Sequence, residues 1–152
     1  MEAAGYISGV EKKCVHITVP VESARFIERE NITGARVIFD DGRRIRPDQR
    51  KKAYAIIGDI SEWNGDPPEV LKGILKNGFL ICTGGGYFSL SDCSVSTARE
   101  FISWLIDFCF YHNIPTRDTM LKQTDDISAY LYSCLYYRKC CVCTVSYTHL
   151  TL

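Results

Sequence analysis

The sequence has no excess charge of either sign, only three histidines and no long apolar run. Its 18 Lys and Arg residues balance 18 Asp and Glu residues, so any affinity for nucleic acid has to come from a local patch. The most apolar stretch, FISWLIDFCF, contains Asp107 and is too short to span a bilayer. The N-terminus also lacks the basic start and apolar run of a signal peptide. These absences predict a cytoplasmic protein with no membrane partner.

Cysteine, in contrast, is plentiful, with eight residues. Without a secretory signal they do not indicate a disulfide framework. Five are scattered among mostly apolar neighbours and are predicted to be small buried residues: Cys14, Cys82, Cys93, Cys109 and Cys134.

The other three cysteines lie together near the C-terminus, and Cys140-x-x-Cys143 has the spacing of half a zinc site. A site of all three clustered cysteines with His149 is an alternative. A thiol redox pair is a further one. The redox interpretation is disfavoured because the pair follows a predicted helix, so no helix dipole would lower the thiol pKa.

The length of 152 residues and the apolar content of 46% suit one domain with a real core. Residues 14–20, CVHITVP, alternate like a strand, and ARVIFD, DDG and GRRIR indicate a second hairpin with its turn. The periodicity then becomes helical. The predicted class is α+β, with a small N-terminal antiparallel sheet with hairpins followed by a helical half of about four helices.

The four predicted helices carry apolar stripes at helical spacing. The first starts at Pro47, and the second is expected to stop at Asn77-Gly78. The third spans about 94–113, with Thr97 and Glu100 as a capping box. The fourth is expected to begin at Thr124, with two acidic residues in its first turn.

Residues 43–52, named here the basic segment, carry six cations at the predicted start of a helix. The helix dipole disfavours cations there, so fold stability does not explain them. Helix N-termini and guanidinium groups both suit phosphate. The predicted nucleic-acid contacts are Arg43, Arg44, Arg46, Gln49, Arg50, Lys51 and Lys52. A merely solvated face, on a domain that binds other proteins, is the alternative. Tyr54 could stack on bases, but its spacing favours the core.

Three stretches of the chain resemble phage-encoded HNH nucleases of the HNHc type: DGRRIRPDQRKKAYAIIGDISEWNGDPPEVLKGILKNGF, FSLSDCSVSTAREFISWLIDFCFYHNIP and YLYSCLYYRKCCVC. Members of that family have an N-terminal module of this kind, followed by a zinc-stabilised HNH domain that a Cys-x-x-C opens. The resemblance implies a DNA substrate, a structural zinc, a divalent catalytic metal in the full-length parent, and a phage or prophage protein of a bacterial cell.

The N-terminal module also resembles the lambdoid NinB/Orf recombination proteins. The shared pattern is Arg46, then Asp48-Gln49, Arg50 with Lys51 or Lys52, Tyr54 and residues 58–61, GDIS. Those proteins bind single-stranded DNA, form dimers and assist phage recombination. The resemblance therefore implies a DNA-binding module over residues 1–122, with single-stranded or branched DNA as partner and with homodimers.

Residues 123–143 are expected to supply a helix and the first Cys-x-x-C of an HNH domain that is cut short. VSYTHLTL is similar to a translated sequencing adapter, so residues 144–152 are predicted to be a non-native tail. In HNH nucleases, the second metal-ligand pair and the catalytic histidines lie further downstream. His16 and His112 are predicted to be structural.

The predicted function is therefore the DNA-binding portion of a phage HNH endonuclease for recombination or processing. The fragment has no catalytic residues, is inactive by itself and binds no metal. The alternative is a non-enzymatic recombination mediator that binds single-stranded DNA.

Overall fold

A computed structural model describes residues 5–35, 37 and 42–146 of the chain. The chain forms two compact units, residues 1–39 and residues 40–152. The first contains a two-stranded sheet and one helix, and the second contains the remaining helices. The α+β class is thus confirmed. Within the described ranges, no helix combines the length and hydropathy that a membrane crossing requires.

The first unit is a hairpin followed by a short helix. Strands β1 (Tyr6–Glu11) and β2 (Cys14–Thr18) are antiparallel, with a bulge between Ile7 and Gly9. Helix α1 spans Val21–Arg29. The alternating pattern of residues 14–20 correctly predicted β2.

Only part of the predicted second hairpin lies among the described residues. Its first strand, residues 35–40, and its turn fall almost wholly outside them. The expected second strand, GRRIR, forms a long-range bridge, in which Ile45 N–H donates to Cys93 O at 2.8 Å. The return bond runs from Val95 N–H to Arg43 O at 3.2 Å. The sequence did not indicate this bridge, because its two segments lie about fifty residues apart.

The second unit packs its helices around one apolar core. Helix α4 lies at the centre and packs against α2, α3 and α6. The helices are α2 (Pro47–Asn64), α3 (Pro68–Thr83), α4 (Val95–His112), α5 (Met120–Gln123) and α6 (Ile127–Tyr136). Their buried stripes include Ile56, Ile57, Ile60, Leu71, Leu75, Phe101, Ile102 and Leu105.

Helix α3 does not stop at Asn77-Gly78 but continues to Thr83, where Gly84 adopts φ 68° as its C-cap. Gly78 has a different role. A Cβ at this position would lie 3.1 Å from the Trp104 ring, so the glycine lets α3 and α4 approach closely. A packing glycine and a stop glycine look the same in the sequence.

Two helix starts also differ from the prediction. Ser94, not Thr97, caps α4, with its Oγ accepting Thr97 N–H at 3.0 Å. Thr124 does not begin the fourth predicted helix. It ends the one-turn α5, which the sequence did not predict, and Asp126 caps α6 by accepting Ala129 N–H at 3.0 Å. Several Ser, Thr and Asp residues were available at each start, and tertiary contacts selected among them.

The cysteine prediction holds for three of the five scattered residues. Cys93, Cys109 and Cys134 are buried, and burial raises the pKa of the Cys109 thiol to about 12. Cys14 and Cys82 are exposed, contrary to the prediction. Apolar neighbours in the sequence did not imply burial, because β2 is exposed along its length and Cys82 lies on the outer side of α3.

Asp107 on α4 is an acidic residue inside this helical unit. Burial raises the pKa of its carboxyl group, while a hydrogen bond with Ser133 on α6 opposes the rise. Its Oδ1 is buried and has no hydrogen-bond partner among the described residues. A charged oxygen in that position destabilises the folded state.

We expect Asp107→Asn to stabilise the protein at pH 7 by about 1 kcal/mol, because the substitution removes a poorly compensated charge. The folded-state pKa lies above the unfolded value, so the wild type loses stability as pH rises through the folded pKa. The advantage of the variant should therefore shrink as pH falls towards about 4. Urea denaturation across this pH range measures the effect, with Asp118→Asn as an exposed control. A variant that is less stable at pH 7 would contradict the prediction.

Candidate nucleic-acid interface and cysteine turn

The start of α2 is held in place by one carboxylate, Asp125. Its side chain is only 5% exposed and lies 2.9 Å from Arg46 Nη2. Lys52 Nζ lies 3.6 Å away and Arg99 Nε lies 3.5 Å away. These residues, together with Gln49, are named here the Asp125 cluster. The cluster joins the start of α2, the first turns of α4 and the segment between α5 and α6.

Gln49 is the fully buried member of the cluster. Its Oε1 accepts the Arg46 N–H at 3.1 Å, which caps the start of α2. Its Nε2 donates to Asp125 Oδ2 at 2.7 Å and to Val95 O at 3.2 Å. Both ends of the amide are thus satisfied inside the protein. Gln49 positions the basic segment and has no surface with which to touch DNA in this conformation.

Two further members of the basic segment, Arg50 and Lys52, also bond to the chain itself. Arg50 donates through Nε to Leu90 O at 2.9 Å and through Nη2 to Ser91 O at 2.8 Å. Lys52 Nζ donates to Thr124 O at 2.9 Å.

Arg46 pairs with Asp48 as well as with Asp125, with its Nε 3.1 Å from Asp48 Oδ1. The hydrogen bond from Arg46 lowers the pKa of the Asp48 carboxyl group. The Arg46 side chain is nevertheless 49% exposed.

Arg43, Arg44 and Lys51 are exposed to solvent. Arg44 lies 3.8 Å from Asp92, whose side chain is 79% exposed, a separation at which an exposed pair contributes little. The predicted contacts therefore divide into two sets. Gln49, Arg50 and Lys52 fix the segment, the three exposed residues face outward, and Arg46 belongs to both.

Neither Asp125 nor Arg99 was predicted from the sequence to be part of this site. Asp125 was interpreted as an acidic residue in the first turn of a helix, and Arg99 lies in the middle of an amphipathic stretch. No local spacing in the sequence connects either residue to the basic segment. Arg46, for example, lies 79 residues before Asp125. Only the packing of α2 against α4 and α5 brings them together.

The second feature is a tight turn at residues 139–146, named here the cysteine turn. Cys140 N–H donates to Val145 O and Thr144 N–H donates to Cys140 O, both at 2.8 Å. Lys139 and Ser146 form an antiparallel bridge. The Tyr130 hydroxyl donates to Cys141 O at 2.7 Å and so ties the turn to α6.

Within this turn the backbone supports a charged Cys140 sulfur. The pKa of the Cys140 thiol is lowered by hydrogen bonds from the N–H groups of Cys143 and Val142, and also by the Cys143 side chain. The backbone thus stabilises one of two neighbouring cysteine sulfurs as a thiolate. Such a pair can supply two of the four ligands of a tetrahedral zinc site.

The part of the chain that the structure describes contains no group of three or more His, Cys, Asp or Glu residues that could hold a metal. His149, which the alternative site of three cysteines and a histidine requires, lies outside the described residues. His16 is exposed, 3.7 Å from Glu11, and His112 lies beside the Phe108 ring at a centroid distance of 4.4 Å. The two described histidines make ordinary structural contacts.

We expect Asp125→Ala to destabilise the protein by about 2 kcal/mol, because it leaves Arg46, Lys52 and Arg99 close together without their carboxylate. This value is below the ~3–5 kcal/mol of a fully buried pair, since the cations are partly solvated. Asp92→Ala, the exposed control, should change stability by less than about 0.5 kcal/mol. Urea denaturation measures both, and equal effects would contradict the central role of Asp125.

We expect iodoacetamide to modify Cys140 faster than the exposed Cys82 at pH 7, because the thiolate is the nucleophile and the turn stabilises it. Peptide mass spectrometry over a time course gives both rates in one sample, so Cys82 serves as the internal control. Faster labelling of Cys82 would show that the N–H groups of the turn do not act on Cys140.

The comparisons with known proteins bear on both features. A family model described as "Putative HNHc nuclease" matches residues 16–151, which include the basic segment and the cysteine turn. The match also enters residues 144–152, whose non-native origin stays a prediction. No curated protein and no solved structure matches the chain. Because the family model covers most of its length, the chain belongs to this family of HNH nucleases.

Proposed function

We propose that the chain is the DNA-binding front part of a phage HNH endonuclease that recombines or processes DNA, with the catalytic residues downstream of the cysteine turn. The observation that carries the proposal is the division of the basic segment. Arg43, Arg44 and Lys51 face outward from a segment that the buried Asp125 cluster holds rigid.

A rigid array of outward cations is suited to a phosphate backbone. Arg46, Arg50 and Lys52 add cationic side chains beside this array, although each of them also bonds to the chain. Guanidinium groups form bidentate phosphate contacts. Because the buried contacts already hold the backbone of the segment, little conformational entropy is lost when DNA binds.

The preferred DNA is single-stranded or branched, and the protein works as a dimer. Both statements rest on the pattern of residues 46–61 shared with the NinB/Orf proteins. Exposed aromatic side chains on α2 support the single-strand preference, because Tyr54 is 42% exposed and Trp63 is 49% exposed. Tyr54 was expected in the core, and its position at the surface makes it available for stacking.

The cysteine turn serves in this proposal as the first half of a structural zinc site. Cys140 and Cys143 supply two ligands, and the other two come from the downstream part of the parent enzyme. Zinc would cross-link the two parts of the HNH domain. The catalytic divalent metal of the parent is held by residues outside this chain.

Two other functions have specific support. A non-enzymatic recombination mediator would use the same basic segment, and the gene sequence downstream of Cys143 separates it from the nuclease, because only the nuclease needs a second ligand pair and HNH histidines.

A thiol redox role is favoured by the lowered pKa of Cys140, which the turn causes without any helix dipole. The two roles can be separated by alkylation with and without added zinc. If zinc protects both Cys140 and Cys143 from alkylation, the metal site is favoured over the redox role.

We expect the triple variant Arg43→Ala/Arg44→Ala/Lys51→Ala to bind oligo(dT) more weakly and with a shallower salt dependence. Each lost phosphate contact should lower the slope of log K against log salt concentration by about 0.7 on single strands. Fluorescence anisotropy at several salt concentrations measures the slope. The exposed pair Lys12 and Lys13, replaced by Ala, is the control for a general loss of charge.

An unchanged slope in the triple variant would remove the basic segment from the DNA interface. Cleavage of supercoiled plasmid by the wild-type chain with Mg²⁺ would contradict the assignment of catalysis to downstream residues.

A further inference from the structure

A shallow groove of about 260 Å³ lies between α2, α3 and the loop that joins α3 to α4. It is named here the aromatic groove. Its volume is below the roughly 300–1,000 Å³ of pockets that enclose drug-sized ligands, which suits one flat ring with an attached anion. Its lining consists of Tyr54, Lys72, Lys76, Tyr87, Ser89, Leu90 and Ser91.

The groove pairs each of its two tyrosines with a lysine. Lys76 Nζ lies 4.4 Å from the centroid of the Tyr87 ring. Lys72 Nζ lies 5.6 Å from the centroid of Tyr54 and 2.5 Å from Glu69 Oε2. In the described part of the chain, Lys76 has no carboxylate partner. Lys76 is therefore the stronger candidate to meet an anion, and Lys72 is partly neutralised by Glu69.

Tyr87 is presented to solvent by the loop itself. Its side chain is 83% exposed, whereas the adjacent Phe88 is only 7% exposed. Phe88 packs edge-on against Phe79 and Phe101, with centroid distances of 5.6 Å and 5.2 Å. Phe88 thus anchors the loop, and the core does not need the Tyr87 ring. Lys76 Nζ also lies 5.0 Å from the centroid of the Phe88 ring. A large exposed aromatic ring beside an ammonium group that contacts rings rather than a carboxylate is suited to a ligand that is both planar and anionic.

The groove is joined to the basic segment through Arg50. The Arg50 side chain donates to the carbonyl groups of Leu90 and Ser91, which both line the groove. Tyr54 lies one helical turn after Arg50 on α2. The same buried contacts that fix the basic segment therefore also fix one wall of the groove.

We propose that the aromatic groove binds an unpaired nucleobase together with its phosphate. The base stacks on Tyr87 and Tyr54, and the phosphate meets Lys76 and Lys72. The proposal rests on the proposed DNA-binding function and adds the site that selects single strands. Bases in a duplex are already stacked on their neighbours, so only an unpaired base can enter.

Tyr87→Leu tests the stacking contact in anisotropy titrations with fluorescein-labelled oligo(dT). Loss of one base–aromatic stack is expected to weaken binding about tenfold. Tyr87→Phe should retain the affinity, because a phenyl ring also stacks. Tyr132→Leu is the matched control, since Tyr132 is 70% exposed on α6. Binding of duplex DNA should be the same for Tyr87→Leu and the wild type.

A second variant, Lys76→Gln, separates phosphate contact from stacking. It should lower the salt slope on oligo(dT) by about 0.7, whereas Tyr87→Leu should leave the slope unchanged. Thermal unfolding of each variant identifies any loss of affinity that comes from misfolding. Tyr87→Phe keeps an aromatic ring, so the comparison of its affinity with that of Tyr87→Leu reports the stacking contact.

The outcomes distinguish this inference from the proposed function. If Tyr87→Leu binds oligo(dT) like the wild type while Arg43→Ala/Arg44→Ala/Lys51→Ala binds weakly, the groove assignment is wrong and the DNA-binding function stands. If the wild type ignores oligo(dT) and duplex at low salt, both are wrong. If poly-glutamate competes for the groove and an abasic oligonucleotide binds as well as oligo(dT), the groove recognises anions without bases, and the inference is overturned.

Discussion

The buried carboxylate of Asp125 is the interaction on which the arrangement of this protein's basic surface depends. It lies among three cations and receives a hydrogen bond from the fully buried Gln49. An ion pair with so little exposure is not a strong source of stability in itself, because desolvation offsets much of the attraction. Its effect is to specify geometry. The start of α2 can occupy only the position in which the charges around Asp125 are paired.

This geometry explains how a run of cations can lie at a helix start, where the helix dipole opposes them. Part of the run is compensated from within by Asp48, Asp125 and the loop carbonyl groups. The rest is held outward by the same framework. The unfavourable electrostatic energy of cations at the helix start is thus offset by buried contacts. The outward residues also keep a fixed position relative to the aromatic groove.

The cysteine turn follows a similar principle at a smaller scale. Backbone N–H groups stabilise the Cys140 thiolate, and Tyr130 holds the turn against α6. The two cysteines are therefore positioned by the chain itself. The family match covers this turn, and in the proposed zinc site its two cysteines would supply the first two ligands.

Amino-acid pattern alone indicated most of the helical stretches and strand β2, because apolar spacing reports the side of an element that must be buried. The stripe on α4 and the strand β2 were predicted in this way, and so was the run of cations. Only the tertiary structure decided which cations face outward, that Tyr54 lies at the surface, and that Gly78 serves close packing rather than a helix stop. Each of these depends on partners tens of residues away, and the interaction between Arg46 and Asp125 exists only once the segment that follows α5 has packed against the start of α2.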